Sequence, residues 1–209
     1  PAQARALDVL WPAFGIAPEP DTLLRFPDIF GREAPIVLDI GFGNGESVLH
    51  AATTRPEENI LGIEVHQPGV GALLKHLDDT DARYVRIIQA DAVDVLQQHI
   101  APESLAAVRV FFPDPWPKKR HHKRRLVQTD FVALVVSRLT AGGLFHLATD
   151  WAPYAEYMLE TLNQFPELMN ESATDSYVPR PAWRPVTRFE RRGLKYDQPA
   201  RDLLFMKRA

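Results

Sequence analysis

A chain of 209 residues, 45% hydrophobic and 10% aromatic, is of single-domain size and can bury a sizeable core. It contains no cysteine, which excludes disulfide frameworks, zinc knuckles, thiolate nucleophiles and iron–sulfur sites. No run approaches the roughly 18 apolar residues of a membrane span, no charged-then-apolar leader opens the chain, and the expected location is the cytoplasm. The net charge of −3 does not by itself suggest a nucleic-acid partner, because phosphate binding needs clustered rather than average positive charge.

The chain begins at Pro1 without an initiator methionine, so a preceding segment is expected. Residues 1–34 read as a shortened N-terminal extension to a core over 35–209. In that core, aliphatic runs at Ile36 to Ile40, Ile60 to Val65, Val85 to Ile88, Ala107 to Phe112 and Leu144 to Ala148 predict strands. Helices are predicted between them at Glu46 to Thr53, Pro68 to Leu77, Ala92 to His99, Lys123 to Leu139 and Trp151 to Asn163. Such alternation implies a parallel sheet covered on both faces. After a Pro-rich loop, Tyr177 to Pro185, two further strands at Val186 to Arg192 and Asp202 to Lys207 predict an antiparallel hairpin. The expected fold class is therefore α/β, Rossmann-like, with seven mostly parallel strands, helices on both faces and a C-terminal antiparallel hairpin.

The first strand runs into Asp39-Ile40-Gly41-Phe42-Gly43-Asn44-Gly45-Glu46, a glycine-rich turn that opens a helix. Its glycines permit a tight turn and close approach of a ligand to the backbone. The third glycine arrives one position too early for the dinucleotide fingerprint, and Glu46 stands where a pyrophosphate would meet negative charge. An adenosine carrying a positive sulfonium fits better. Asp39 is a candidate for its amino or carboxyl end, Glu64 for the ribose hydroxyls and Asp91 for the adenine amino group, all at strand carboxyl ends. Taken singly, Glu64 also reads as a solvated strand end and Asp91 as a helix N-cap.

Phe111-Phe112-Pro113-Asp114-Pro115-Trp116-Pro117 follows the fourth predicted strand. The prolines stiffen the turn around Asp114, and Trp116 offers a surface on which a base can stack. Lys118-Lys119-Arg120-His121-His122-Lys123-Arg124-Arg125 then places six cations within eight residues. At the start of a predicted helix they oppose its dipole, which favours phosphate binding over a merely solvated face.

These segments, with Gly62 to His66, Thr149-Asp150 and Thr187-Arg188-Phe189-Glu190, resemble the bacterial tRNA (guanine-N7-)-methyltransferases of the TrmB type, from about Ile36 to the end. The resemblance implies a class I methyltransferase fold, S-adenosylmethionine as donor, S-adenosylhomocysteine as product, and the guanosine at position 46 of the tRNA variable loop as substrate. By position in those segments it assigns Asp39, Gly41, Gly43, Gly45, Glu64, Asp91 and Asp114 to the cofactor and Asp114 also to catalysis. Lys118, Asp150, Thr187, Arg188, Phe189 and Glu190 fall to the substrate, and Arg120, His121, His122, Lys123, Arg124 and Arg125 to the RNA. Asp39 departs from the glutamate of the family by one methylene. On this reading Asp114, Asp150 and Glu190 gather around the base. No metal is expected: His66, His76, His99 and His146 lack ligand spacing. Trp11, Trp151 and Trp183 read as packing residues. Two alternatives stay open, an exocyclic-amine methyltransferase, because Asp114-Pro115 also resembles the Asp-Pro-Pro-aromatic segment of those enzymes, and a non-catalytic RNA-binding protein on the same fold.

Overall fold

The computed structural model describes residues 2–195 and 197–209. Its centre is β1 (Ile36–Ile40), five residues buried on both faces, as a run of Ile, Val and Leu in a covered parallel sheet must be. The chain leads there through α1 (Ala2–Phe14) and α2 (Phe26–Phe30), then alternates through α3 (Glu46–Thr54), β2 (Asn59–Ile63), α4 (Gln67–Asp78), β3 (Val85–Ile88), α5 (Ala92–Gln98) and β4 (Leu105–Phe111). A 3-10 turn (Lys119–Arg124), α6 (Thr129–Arg138), β5 (Leu139–Thr149), α7 (Ala152–Leu162), β6 (Leu168–Asn170), α8 (Arg188–Leu194) and β7 (Arg201–Lys207) complete it.

The strand order is β3-β2-β1-β4-β5-β7-β6, with β7 antiparallel to both neighbours and the other pairs parallel. This is the seven-stranded, mostly parallel Rossmann-like sheet the sequence leads one to expect. One face packs on α5, α6 and α7 through Leu38, Ile40, Val108, Val110, Phe131, Val135 and Tyr154. The other packs on α3 and α4 through Val48, Ile60, Val70, Leu73 and Ile87, with Leu10 and Trp11 of α1 against it. Successive crossovers leave β1 and β4 in opposite directions, so their carboxyl ends border the crevice where such sheets bind ligands. No helix among the described residues is long and apolar enough to cross a membrane.

Two predicted elements are corrected. Val186 to Arg192 is not a strand: Thr187 caps α8, its Oγ1 accepting the Glu190 N–H at 3.3 Å, and the Thr-x-x-Glu spacing is a helix-start signal that the β-branched pair Val186-Thr187 obscured. The antiparallel C-terminal pair is instead β6 with β7, and β6 is three residues long, too short to show a period. The predicted helix Lys123 to Leu139 is broken. The basic run forms the separate 3-10 turn, Arg125 to Gln128 connect it to α6, and Leu139 already pairs with Leu105 in the sheet. The basic run therefore lies ahead of α6, with His121, His122, Lys123 and Arg124 in the last turn of the 3-10 segment, and does not oppose the dipole of that helix.

Candidate active site

The glycine turn closes on itself through carboxylates. Gly41 and Gly43 have φ of 68° and 58°, the left-handed region where a side chain is strained. The Gly43 N–H, the kind of donor a pyrophosphate would need, donates to Glu64 Oε2 at 2.8 Å, while the His66 N–H donates to Oε1 at 2.9 Å. Gly69 is required for the same packing: a Cβ there would collide with the Gly43 carbonyl oxygen. Beneath the turn, Asp39 is 1% exposed and accepts from Ser47 Oγ at 2.8 Å. Burial pushes its pKa up to about 6, with the Ser47 hydrogen bond and the Arg109 charge pulling the other way. Asp91 caps α5, accepting the Val93 and Asp94 N–H groups through Oδ1 alone, at 2.8 and 3.3 Å.

Opposite the glycine turn stands the loop after β4. Phe112 and Trp116 have φ of 53° and 43°, a conformation that costs an aromatic residue on the order of 1–3 kcal/mol and clusters at functional sites. Between them Asp114 is exposed. The Trp116 ring is already covered, by the Arg124 guanidinium 4.9 Å from its centroid and by the edge of His121 at 5.8 Å, so the open stacking surface expected from the sequence is taken. A cavity of ≈ 570 Å³ is lined by Glu64, Val65, Asp91, Asp114, Trp116, Arg124 and Phe189 among others, within the usual range for cofactor-sized ligands. A smaller one of ≈ 150 Å³ adjoins it, reaching Asp39, Ser47 and Asn44 below Thr187, Arg188 and Phe189. Gly41, Phe111, Phe112 and Phe189 border both.

A buried polar chain carries α8. Arg184, 0% exposed, donates to Glu190 Oε2 and Oε1 at 2.6 and 3.2 Å and to Asp202 Oδ1 and Oδ2 at 2.5 and 2.6 Å. Asp202 also accepts from His146 Nε2 at 2.8 Å, and His146 Nδ1 accepts from the Trp183 indole N–H at 3.2 Å. An indole only donates, so His146 is the neutral Nε2–H tautomer, in keeping with a pKa that burial lowers. Burial alone would raise the Asp202 pKa, but the hydrogen bonds from His146 and Arg184 prevail and hold it below the usual carboxylate value.

A family model described as a putative methyltransferase matches residues 33–203. A protein named tRNA (guanine-N(7)-)-methyltransferase from Paraburkholderia xenovorans is 56% identical over 99% of this chain and 78% of its own length. One of the same name from Shewanella amazonensis is 49% identical over 97% of this chain and 85% of its own. The chain belongs to the tRNA (guanine-N7-)-methyltransferase family. Among solved structures, the 16S rRNA methyltransferase KamB aligns with a TM-score of 0.61 at 12% identity, covering 88% of this chain and 93% of its own. An rRNA methylase from Streptococcus thermophilus aligns at 0.58 and 13%, covering 87% and 93%. At such identities these two report the class I methyltransferase fold alone.

Within this tRNA (guanine-N7-)-methyltransferase, the fold brings Glu64, Asp91 and Asp114 to one cavity and Asp39, Gly41, Gly43, Thr187, Arg188 and Phe189 to the next. Gly45 is the buried N-cap of α3 and lines neither. Lys118, Arg120 and Lys123 are exposed, with His121 and His122 half-buried between them, and Arg124 of the same turn lines the larger cavity. Two expectations change. Arg125 is 4% exposed, its Nε donating to the Pro115 carbonyl at 2.8 Å and its guanidinium over Tyr154, so it braces the loop from inside and does not present a charge to RNA. Glu190 does not turn toward a base, since both its oxygens are held by Arg184. The Asp150 carboxylate lies beside Gly193 of α8, ahead of the α7 N-cap at Trp151. Ser47, Arg184 and Asp202 were not legible as site residues, because only their long-range partners distinguish them from ordinary Ser, Arg and Asp.

Proposed function

We propose that this chain transfers the methyl group of S-adenosylmethionine to N7 of a guanosine in tRNA, position 46 of the variable loop. One observation carries the reading. The glycine-turn amide that would bind a phosphate is capped by Glu64, leaving Glu64, Asp91 and Asp114 around a single cavity beside an exposed basic turn. That donor set suits a cationic adenosine ligand and disfavours a dinucleotide. Asp39 would hold the ammonium end, Glu64 the ribose hydroxyls and Asp91 the adenine, with Gly41 and Gly43 giving close approach; when bound, S-adenosylmethionine supplies a methyl group on a sulfonium.

Guanine N7 bears a lone pair and no proton, so its attack on that methyl needs no general base, and the positive charge passes from sulfur to the purine. The residues therefore position, exclude water and meet developing charge. Asp114 faces the cavity and stabilises the cationic purine; Asp150, Lys118, Thr187, Arg188 and Phe189 orient the nucleotide, while Glu190 acts through its hold on α8. The base must leave its stack, which favours a loop nucleotide. Lys119, Arg120, His121, His122, Lys123 and Arg124 meet phosphates flanking it. Such a substrate implies a cytoplasmic enzyme.

The test is transfer of labelled methyl from S-adenosylmethionine into unmodified tRNA, followed by strand cleavage at N7-methylated guanosine. Label at the variable-loop guanosine supports the reading, and label on an exocyclic amine overturns it. Asp114→Ala is expected to lower turnover by about a hundredfold or more while tRNA retention on a filter stays near wild type. Lost retention with normal turnover would reverse the roles given to Asp114 and the basic turn.

A further inference from the structure

Glu46 has no part in the chemistry above, and its charge is unusual at the start of a glycine-turn helix only if the partner is sought in a ligand. Its partner is α8. Oε2 accepts the Arg188 backbone N–H at 2.9 Å and lies 3.5 Å from Arg191 Nη2. Arg188 is the first residue of α8, so this N–H is one that no carbonyl within the helix can accept. Thr187 Oγ1 takes the N–H of Glu190, and Glu46, 142 positions away in sequence, takes that of Arg188. Arg191 closes the clasp from its own side, Nη1 donating to the Val186 carbonyl at 2.6 Å.

The clasp lies where the two cavities meet. Glu46, Thr187, Arg188 and Phe189 form one wall of the cavity that reaches Asp39, and Phe189 extends into the cavity that holds Asp114. A helix of seven residues does not hold its place by propensity. Its inner side is fixed by Arg184 on Glu190, and its outer, cavity-facing start is fixed by Glu46. We propose that Glu46 is a positioning residue that seats the Thr187–Glu190 segment on the cofactor turn, so that the cofactor-facing and nucleoside-facing walls form one cavity. This rests on the methyl-transfer reading given above. The tie is half-exposed, and such ion pairs contribute little to global stability. Its loss therefore opens α8 locally and leaves the fold in place.

The experiment compares wild type, Glu46→Ala and Glu46→Gln by hydrogen exchange at the Arg188 amide, by kcat and KM on unmodified tRNA, and by thermal melting. In Glu46→Ala the Arg188 amide is expected to exchange about tenfold faster or more, and kcat/KM to fall about tenfold or more, with the melting temperature near wild type. Glu46→Gln retains an oxygen for the N–H and recovers most of both. Unchanged exchange in Glu46→Ala overturns the proposal; so does faster exchange with unchanged kinetics, or a lowered melting temperature with full kcat per folded enzyme. Wild-type protein inactive on tRNA would count against the methyl-transfer reading, while the exchange data would still decide whether Glu46 holds α8.

Discussion

Buried beneath the glycine turn, Asp39 holds its proton more tightly than a free carboxylate does. Its folded pKa of about 6 lies above the 3.8 of the unfolded chain, because burial disfavours the charge. Between those values the folded chain keeps a proton that the unfolded chain has released, so this group's contribution to stability is greatest at low pH and declines as pH rises toward 6. At about 1.4 kcal/mol per pH unit, the ionised carboxylate costs on the order of 3 kcal/mol near pH 7. Asp39→Asn keeps an acceptor for Ser47 and removes that cost. The substituted protein should melt several degrees higher than wild type at pH 7, with the gap narrowing toward pH 5, and should bind S-adenosylhomocysteine about tenfold more weakly by calorimetry. A lower melting temperature at pH 7 would mean that the Arg109 charge, which also faces Asp39, outweighs desolvation.

At the scale of elements, α8 and the basic turn are each held by a buried arginine that sequence reading treats as one cation among many. Arg184→Ala leaves Glu190 and Asp202 buried without their guanidinium, a loss of about 3–5 kcal/mol that chemical denaturation would register. Thr187→Ala removes only the cap and is expected to cost about 1 kcal/mol. Equal effects from the two would mean that the Arg184 network relaxes around its gap. In the basic turn the contrast runs the other way. Arg120→Ala should leave the melting temperature unchanged and reduce the slope of log affinity for tRNA against log salt by about one. Arg125→Ala should lower the melting temperature, since Pro115, Tyr154 and Tyr157 lose the side chain that links them.

For the whole molecule, one sheet face carries a buried polar line from Asp39 to its register partner Arg109, on to Arg109's partner His146, and from there to Asp202, Arg184 and Glu190. It runs beneath the cavities from the glycine turn to α8. The surface follows a similar division: a net charge of −3 is spread over the chain, while Arg124 of the 3-10 turn and Arg188 of α8 line the cavities. The placement of these charges is what the total conceals.

The sequence by itself determined the five parallel strands, the glycine turn and the acidic strand ends. Those signals are local: period, glycine spacing and a carboxylate at the end of an apolar run can each be read within a few residues. β1, β3 and α3 accordingly fall within a residue of their expected bounds. The tertiary structure alone decided the fate of Val186 to Arg192, of Arg125 and of Glu190. Val186-Thr187 has the composition of a strand, and only the cap at Thr187, the clasp from Glu46 and the pairing with Arg184 make the segment a helix. Arg125 is chemically identical to Arg124, and what separates them is that one meets the Pro115 carbonyl and Tyr154 inside the fold while the other lies over Trp116 at the cavity. Contacts between residues far apart in sequence leave no period or spacing to read, and here they chose which charged groups face the cavities and which hold the fold.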